Sequence, residues 1–235
     1  MGGKLSTGVP TLDRRLGGGL NPGDILAVVA PPATQSQSLL YQFMKERPTV
    51  YVTTVRSSSS IERDIDALGG SSEEWYVEEV SQGASMDHEL VAELTGSRTY
   101  SGNTAIKDSP LDRVYEVIER IDSEVNVIID PTNRLERTDE RQSYAEVLKK
   151  FSATMQETGG VGICHCMAVD DPPALRSETL MFADVVWELD LVSTTKDEVE
   201  YQLRVPKNRT GEVILEVLSL EIGRRTVCVD DSRAI

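Results

Sequence analysis

The sequence predicts an α/β fold: a mostly parallel central sheet flanked by helices, followed by a C-terminal antiparallel β extension. Two observations carry that prediction. Between residues 23 and 190, short apolar or β-branched runs alternate with amphipathic helical stretches, as strands buried on both faces and joined by crossover helices do. From about Glu198 the helical stretches stop, and short alternating runs are separated by turn residues, which is how antiparallel hairpins read.

Residues 12–16 suit a short helix, ended by Gly17-Gly18-Gly19, and Asn21-Pro22-Gly23 turns the chain into an apolar strand over 25–30. A Pro/Ala/Thr turn follows, and then a helix with Leu39, Leu40, Phe43 and Met44 at helical spacing. Residues 49–55 form a β-branched strand; Ser57 to Ser60 offer capping hydroxyls to a helix carrying Ile61, Ile65 and Leu68, stopped by Gly69-Gly70. A third strand covers 75–80. Residues 81–109 are less regular, with a short helix over 88–94 and a polar loop. Ser109 caps a helix begun by Pro110, with Leu111, Val114, Ile118 and Ile121 inward. A buried strand over 125–130 precedes the longest helix, 137–157, whose stripe is Tyr144, Val147, Leu148, Phe151 and Met155. Strands over 161–167 and 185–189 complete the α/β part, and antiparallel strands over 201–205, 213–217 and 226–229 follow, the first turn falling at 207–211. One domain results: a lead-in (1–22), an α/β core (23–190) and a β-hairpin extension (191–235).

Composition narrows the class. At 235 residues the chain can bury a sizeable core, and no run approaches the roughly 20 apolar residues of a membrane helix. The start, Met1-Gly2-Gly3-Lys4, has no apolar signal region, so a cytoplasmic protein without membrane partners is expected. Three cysteines make an odd, sparse set that argues against a disulfide framework. The net charge is -15, from 39 acidic against 24 basic residues, and such a surface repels nucleic-acid phosphates and acidic membranes. The acidity fits an ordinary cytoplasmic protein; it also fits a high-salt cytoplasm, where screening acts over a few ångströms.

The most informative stretch is 23–40, whose strand–turn–helix is the scaffold of a phosphate-binding loop. Set on the pattern G-x-x-x-x-G-K-[ST], its positions carry Ala30, then Ala33, Thr34 and Gln35, then Ser36 and Gln37. The glycines, the lysine and the hydroxyl that would hold magnesium are all replaced.

Ser6-Thr7-Gly8, Leu12-Asp13 and Gly17-Gly18-Gly19, with Gly23 closing the turn, resemble in order and spacing the lead-in of the RecA-like ATPases of the KaiC and RadA branch. The resemblance extends over nearly the whole chain. Val127-Ile128-Ile129-Asp130 is similar to that family's Walker B strand, and residues 182–189 are similar to its late core strand. Lys207-Asn208-Arg209 stands where KaiC-like proteins carry a Lys-x-Arg pair that reaches the phosphate of a neighbouring subunit. What the resemblance implies is a RecA-like P-loop NTPase fold with a degenerate Walker A motif, from a halophilic archaeon. Thr34, Gln35, Ser36, Gln37, Ser38 and Asp130 would be what remains of a nucleotide site, and Lys207 and Arg209 an inter-subunit contact. In the KaiC branch a pair of glutamates follows the second strand; here Arg56 and Ser57 stand in those positions, and an arginine cannot accept the proton of an attacking water.

The losses have a magnitude. Phosphate loops need glycine so that consecutive amides face the phosphates without an intervening Cβ. A charge-assisted lysine contact contributes roughly 1.5–3 kcal/mol, so its loss alone weakens binding by about one to two orders of magnitude. The expectation is a catalytically inactive RecA/KaiC-like homologue, a pseudo-ATPase without cofactor or metal, acting as a regulatory or scaffolding module. Its partner would be a protein, either an active KaiC/RecA-like relative or a second copy of itself. The alternative is weakly bound ATP and magnesium with residual ATPase activity on Thr34, Ser36, Ser38 and Asp130; a DNA-associated recombinase relative is disfavoured by the charge. Each residue also has a plainer role: Asp130 as a strand-end acid, Thr34, Ser36 and Ser38 as helix caps, Lys207 and Arg209 as a solvated turn. Arg56 is a candidate ion-pair partner for Asp130. Cys164-His165-Cys166 invites a metal reading, but on a strand the cysteines face one side and the histidine the other, so they read as buried strand residues. No nucleophile elbow and no H-E-x-x-H pattern is present.

Overall fold

The structure, a computed structural model, describes residues 3–67, 74–80, 109–193, 199–209, 211, 213–223 and 225–230. Its strands are β1 (Ile25–Ala30), β2 (Thr49–Thr53), β3 (Trp75–Glu79), β4 (Asn126–Asp130), β5 (Val161–Met167), β6 (Val185–Ser193), β7 (Val199–Asn208), β8 (Leu218–Ile222) and β9 (Val227–Val229). Its helices are α1 (Pro10–Arg15), α2 (Ser36–Phe43), α3 (Ser58–Ala67), α4 (Pro110–Glu119), α5 (Asn133–Glu136), α6 (Arg141–Thr158) and α7 (Arg176–Phe182). The strands form one sheet in the order β3-β2-β4-β5-β1-β6-β7-β8-β9. From β3 to β6 every pairing is parallel; β6 to β9 pair antiparallel, as the pattern of the sequence requires.

Register sets which side chains share a face. Thr53 pairs with Asp130, and Val28 pairs with both His165 and Trp187, so these residues form one row across the carboxyl ends of the strands. On that face α1, α2 and α3 bury Leu12, Leu16, Leu39, Leu40, Phe43, Ile61 and Ile65. On the other face α4 and α6 pack Val114, Ile118, Tyr144, Val147, Leu148 and Phe151 against Cys164 and Cys166. The expected opposition of His165 and the two cysteines is what the strand produces, and both cysteines are buried and free.

The opening motif has a structural reason. Asp13 on α1 accepts hydrogen bonds from the hydroxyls of Ser6 and Thr7, each at 2.7 Å, and from the Thr7 amide at 3.0 Å. Gly8 lies at φ 78° against the Gln42 carbonyl, where a Cβ would come within 2.2 Å of the oxygen. These residues lock the lead-in onto α2.

Four sequence expectations change. The helix expected over 137–157 begins later: a separate short helix, α5, ends at Glu136, and the Thr138 hydroxyl takes the Glu140 amide before α6 begins at Arg141. Helix α7 was not expected, because the residues it buries are Arg176, Glu178 and Thr179 rather than an apolar stripe. The strand expected over 213–217 is unpaired, and the ladder with β7 is made by Leu218 and Leu220, which reach the core. β7 runs through Asn208, so the turn expected at 207–211 begins later. The helix expected over 88–94 and the Leu68, Gly69 and Gly70 helix stop lie outside the described residues. Among the described residues no helix is long and apolar enough to cross a membrane.

Candidate functional site

At the carboxyl ends of β1, β4 and β5 a buried chain of polar side chains occupies the position expected for a phosphate loop. Ser36, the first residue of α2, has its Oγ 3.0 Å from His165 Nε2. His165 Nδ1 is hydrogen-bonded to Asp130 Oδ1, and the Tyr51 hydroxyl donates to Asp130 Oδ2. Ser36 is 1% exposed, His165 and Tyr51 0%, and Asp130 2%. Each group sits on a rigid element: Tyr51 on β2, Asp130 at the end of β4, His165 on β5 and Ser36 where the turn after β1 enters α2. The His165 carbonyl is held in turn by the Thr132 amide at 2.8 Å and its hydroxyl at 3.1 Å.

Burial pushes the Asp130 carboxyl up, but the hydrogen bond and charge of His165 and the hydrogen bond from Tyr51 outweigh it and hold the group below its usual range. Asp130 is therefore a carboxylate that accepts at both oxygens. With His165 Nδ1 donating to that carboxylate, Nε2 faces the Ser36 hydroxyl. Burial, and then the Asp130 charge, push the Tyr51 phenol well above its usual value, so it remains a donor. Nearby, Tyr41 on α2 packs against Tyr51 with ring centroids 6.3 Å apart.

The sequence-derived candidates separate. The structure joins Ser36 and Asp130 through His165. Thr34 turns inward onto its own loop, its hydroxyl donating to the Pro31 carbonyl at 2.7 Å, while Gln35 faces out. Gln37 and Ser38 lie half-buried in the first turn of α2, and the Ser38 carbonyl accepts from Gln42 Nε2. Lys207 and Arg209 sit near the opposite ends of the strands. There Lys207 Nζ binds the carbonyls of Leu180 and Met181 at 2.8 and 3.1 Å, and Arg209 binds those of Met181 and Ala183 and pairs with Asp184. They cap the C-terminus of α7. Arg56 does not pair with Asp130: its guanidinium meets Asp64 on α3 at 2.6 Å.

His165 and Tyr51 were not found as site residues from the sequence. The available signal was a histidine one strand over from an acid at a strand end, which becomes meaningful only once the β4–β5 register is known. Behind β5 a second polar cluster ties α5 to α7. Arg176 Nε lies 2.9 Å from both oxygens of the buried Glu136, and the Thr179 hydroxyl donates to the same carboxylate at 2.6 Å. Cys166 borders this cluster, and burial pushes its thiol up to about 12, so it is an inert neighbour. Among the described residues no group of acids, histidines and cysteines converges as a metal site.

The sheet order, the lead-in and the strand–turn–helix define an α/β protein of the KaiC-like, RecA-type fold. A KaiC-like protein from the hyperthermophilic archaeon Pyrococcus horikoshii OT3 superposes with a TM-score of 0.68 at 18% identity, over 96% of this chain and 98% of that one. The chain belongs to the family of unknown function DUF7125, whose profile matches residues 4–235. No curated protein matches it.

Proposed function

We propose that this protein is a RecA/KaiC-like homologue that has given up nucleotide hydrolysis and acts as a regulatory or scaffolding module for a protein partner. The observation that carries the reading is the occupation of Asp130. The acid that would orient magnesium-bound water spends both oxygens on His165 and Tyr51, and Ser36 stands in the lysine position with its hydroxyl on the same histidine. The loop that would wrap a triphosphate carries side chains at 33 and 35 and folds back on itself through Thr34. The interaction half of the reading is supported by Val213, Leu215 and Val217, 74%, 93% and 50% exposed on an extended stretch beside the sheet. The partner is a second copy of the chain or an active relative of the same fold.

Phosphate release from saturating ATP and magnesium tests the catalytic half. The expected outcome is a rate equal to background, unchanged in Asp130→Asn; release that Asp130→Asn abolishes contradicts the reading. Sedimentation of the chain should likewise be insensitive to ATP.

A further inference from the structure

We propose that Ser36, His165 and Asp130 form an acyl-transfer triad, in which Ser36 is a nucleophile toward small, uncharged esters. This chemistry lies beyond the nucleotide reading and does not depend on it. The geometry has the three parts such chemistry needs: a hydroxyl on a base at 3.0 Å, the base's other nitrogen on a carboxylate, and a carboxylate held ionised. With Nδ1 donating to Asp130, the Ser36 proton points at Nε2 and the Oγ lone pairs face away from the base.

The position in the fold supports this assignment. β1 leads through α2 on one face of the sheet, whereas β5 leads through α7 on the other, so the chain directions diverge between the neighbouring strands β1 and β5. Parallel α/β sheets take their ligands at the carboxyl ends of strands where the topology diverges in this way. Ser36 opens α2, and the amides of Ser36 and Gln37 in the first turn have no acceptor within the helix, which places donors beside the developing oxyanion. Tyr51 is a positioning residue: it fixes the second oxygen of Asp130 and so the plane of the carboxylate that orients His165.

The substrate class follows from charge and access. Asp130 lies in the site and the chain carries -15, which disfavours an anionic ester. Ser36 is 1% exposed beneath the turn 31–35, whose Pro32, Ala33 and Gln35 are exposed, so a substrate that reaches it must be small. In the reaction, Ser36 Oγ bonds to the ester carbonyl carbon as its proton passes to His165 Nε2. The tetrahedral intermediate then collapses, the carbon–alkoxide bond breaks, and the alkoxide leaves as the alcohol with the proton from Nε2. Water repeats the sequence on the acyl-serine, releasing the carboxylic acid and restoring the Ser36 hydroxyl.

A dialkyl fluorophosphate, which is small and uncharged, tests this on the full chain: Ser36 Oγ would displace fluoride to give a phosphoryl-serine, read by intact mass and peptide mapping. The expected result is one adduct per chain, on Ser36, absent in Ser36→Ala and retained in Ser38→Ala. Formation should be slower by at least about 100-fold in His165→Gln, the scale of a general base. Circular dichroism establishes that each variant is folded, and the mapping of the unmodified sequence decides the matter if His165→Gln is not. A folded chain left unlabelled at Ser36, labelled no faster there than at the exposed Ser57 and Ser59, or labelled at the same rate in His165→Gln overturns the proposal. Because ATP binding is measured separately, failure here leaves the nucleotide reading standing.

Discussion

At the scale of single residues, the decisive substitution is histidine beside the strand-end acid. The two oxygens of Asp130 meet Nδ1 of His165 and the phenol of Tyr51. This arrangement links stability to pH. The Asp130 carboxyl titrates below its unfolded value of about 3.9, so its contribution is fully present above that pH and is lost as pH falls through the folded value. Denaturant midpoints should therefore hold from pH 7 to about 5 and fall on further acidification to about 2, and Asp130→Asn should be less stable at pH 7 and flatter across the acid limb. A wild-type midpoint that rises on acidification would show that the carboxylate is not held ionised. Asp130 and Ser36 were legible as candidates, because each falls at a position of the strand-end or phosphate-loop motif. Their link was not: His165 reads from the sequence as an inward strand residue between two cysteines, and only the pairing of β4, β5 and β1 carries it to within reach of both.

At the scale of elements, the parallel strands and the apolar helices were legible because alternation and helical spacing report burial directly. β1 and β5 fall where they were expected, and Ser109 makes the capping box that starts α4. What escaped were elements held by polar burial. Helix α7 is fixed by Arg176 on Glu136 and by Thr179, which reaches both Glu136 and the Tyr144 hydroxyl. No periodicity announces such a helix. Removing one partner of a buried pair leaves an uncompensated charge, at a cost of about 3–5 kcal/mol. Glu136→Ala should lower unfolding stability by that amount in urea, with much of the loss recovered when Arg176→Met is added. A cost below about 1 kcal/mol would mean that the pair is solvated and α7 is anchored otherwise. The 213–217 stretch failed for the complementary reason: its β-branched residues have strand propensity, but Leu218 and Leu220 find the core and set the register.

At the scale of the molecule, the antiparallel extension is stapled to the α/β core by Lys207 and Arg209, which bind the last carbonyls of α7 where its dipole is negative. The KaiC-like fold is thus present, and at the carboxyl ends of its strands Ser36, His165, Asp130 and Tyr51 are engaged with one another. The central claim is that the site between β1, β4 and β5 is filled by Ser36, His165 and Asp130 rather than open to a triphosphate. Calorimetric titration of ATP and magnesium into the folded chain tests it most directly. The account predicts no saturable heat up to about 1 mM, corresponding to less than roughly 4 kcal/mol of binding; a single saturable site of low-micromolar affinity would contradict it.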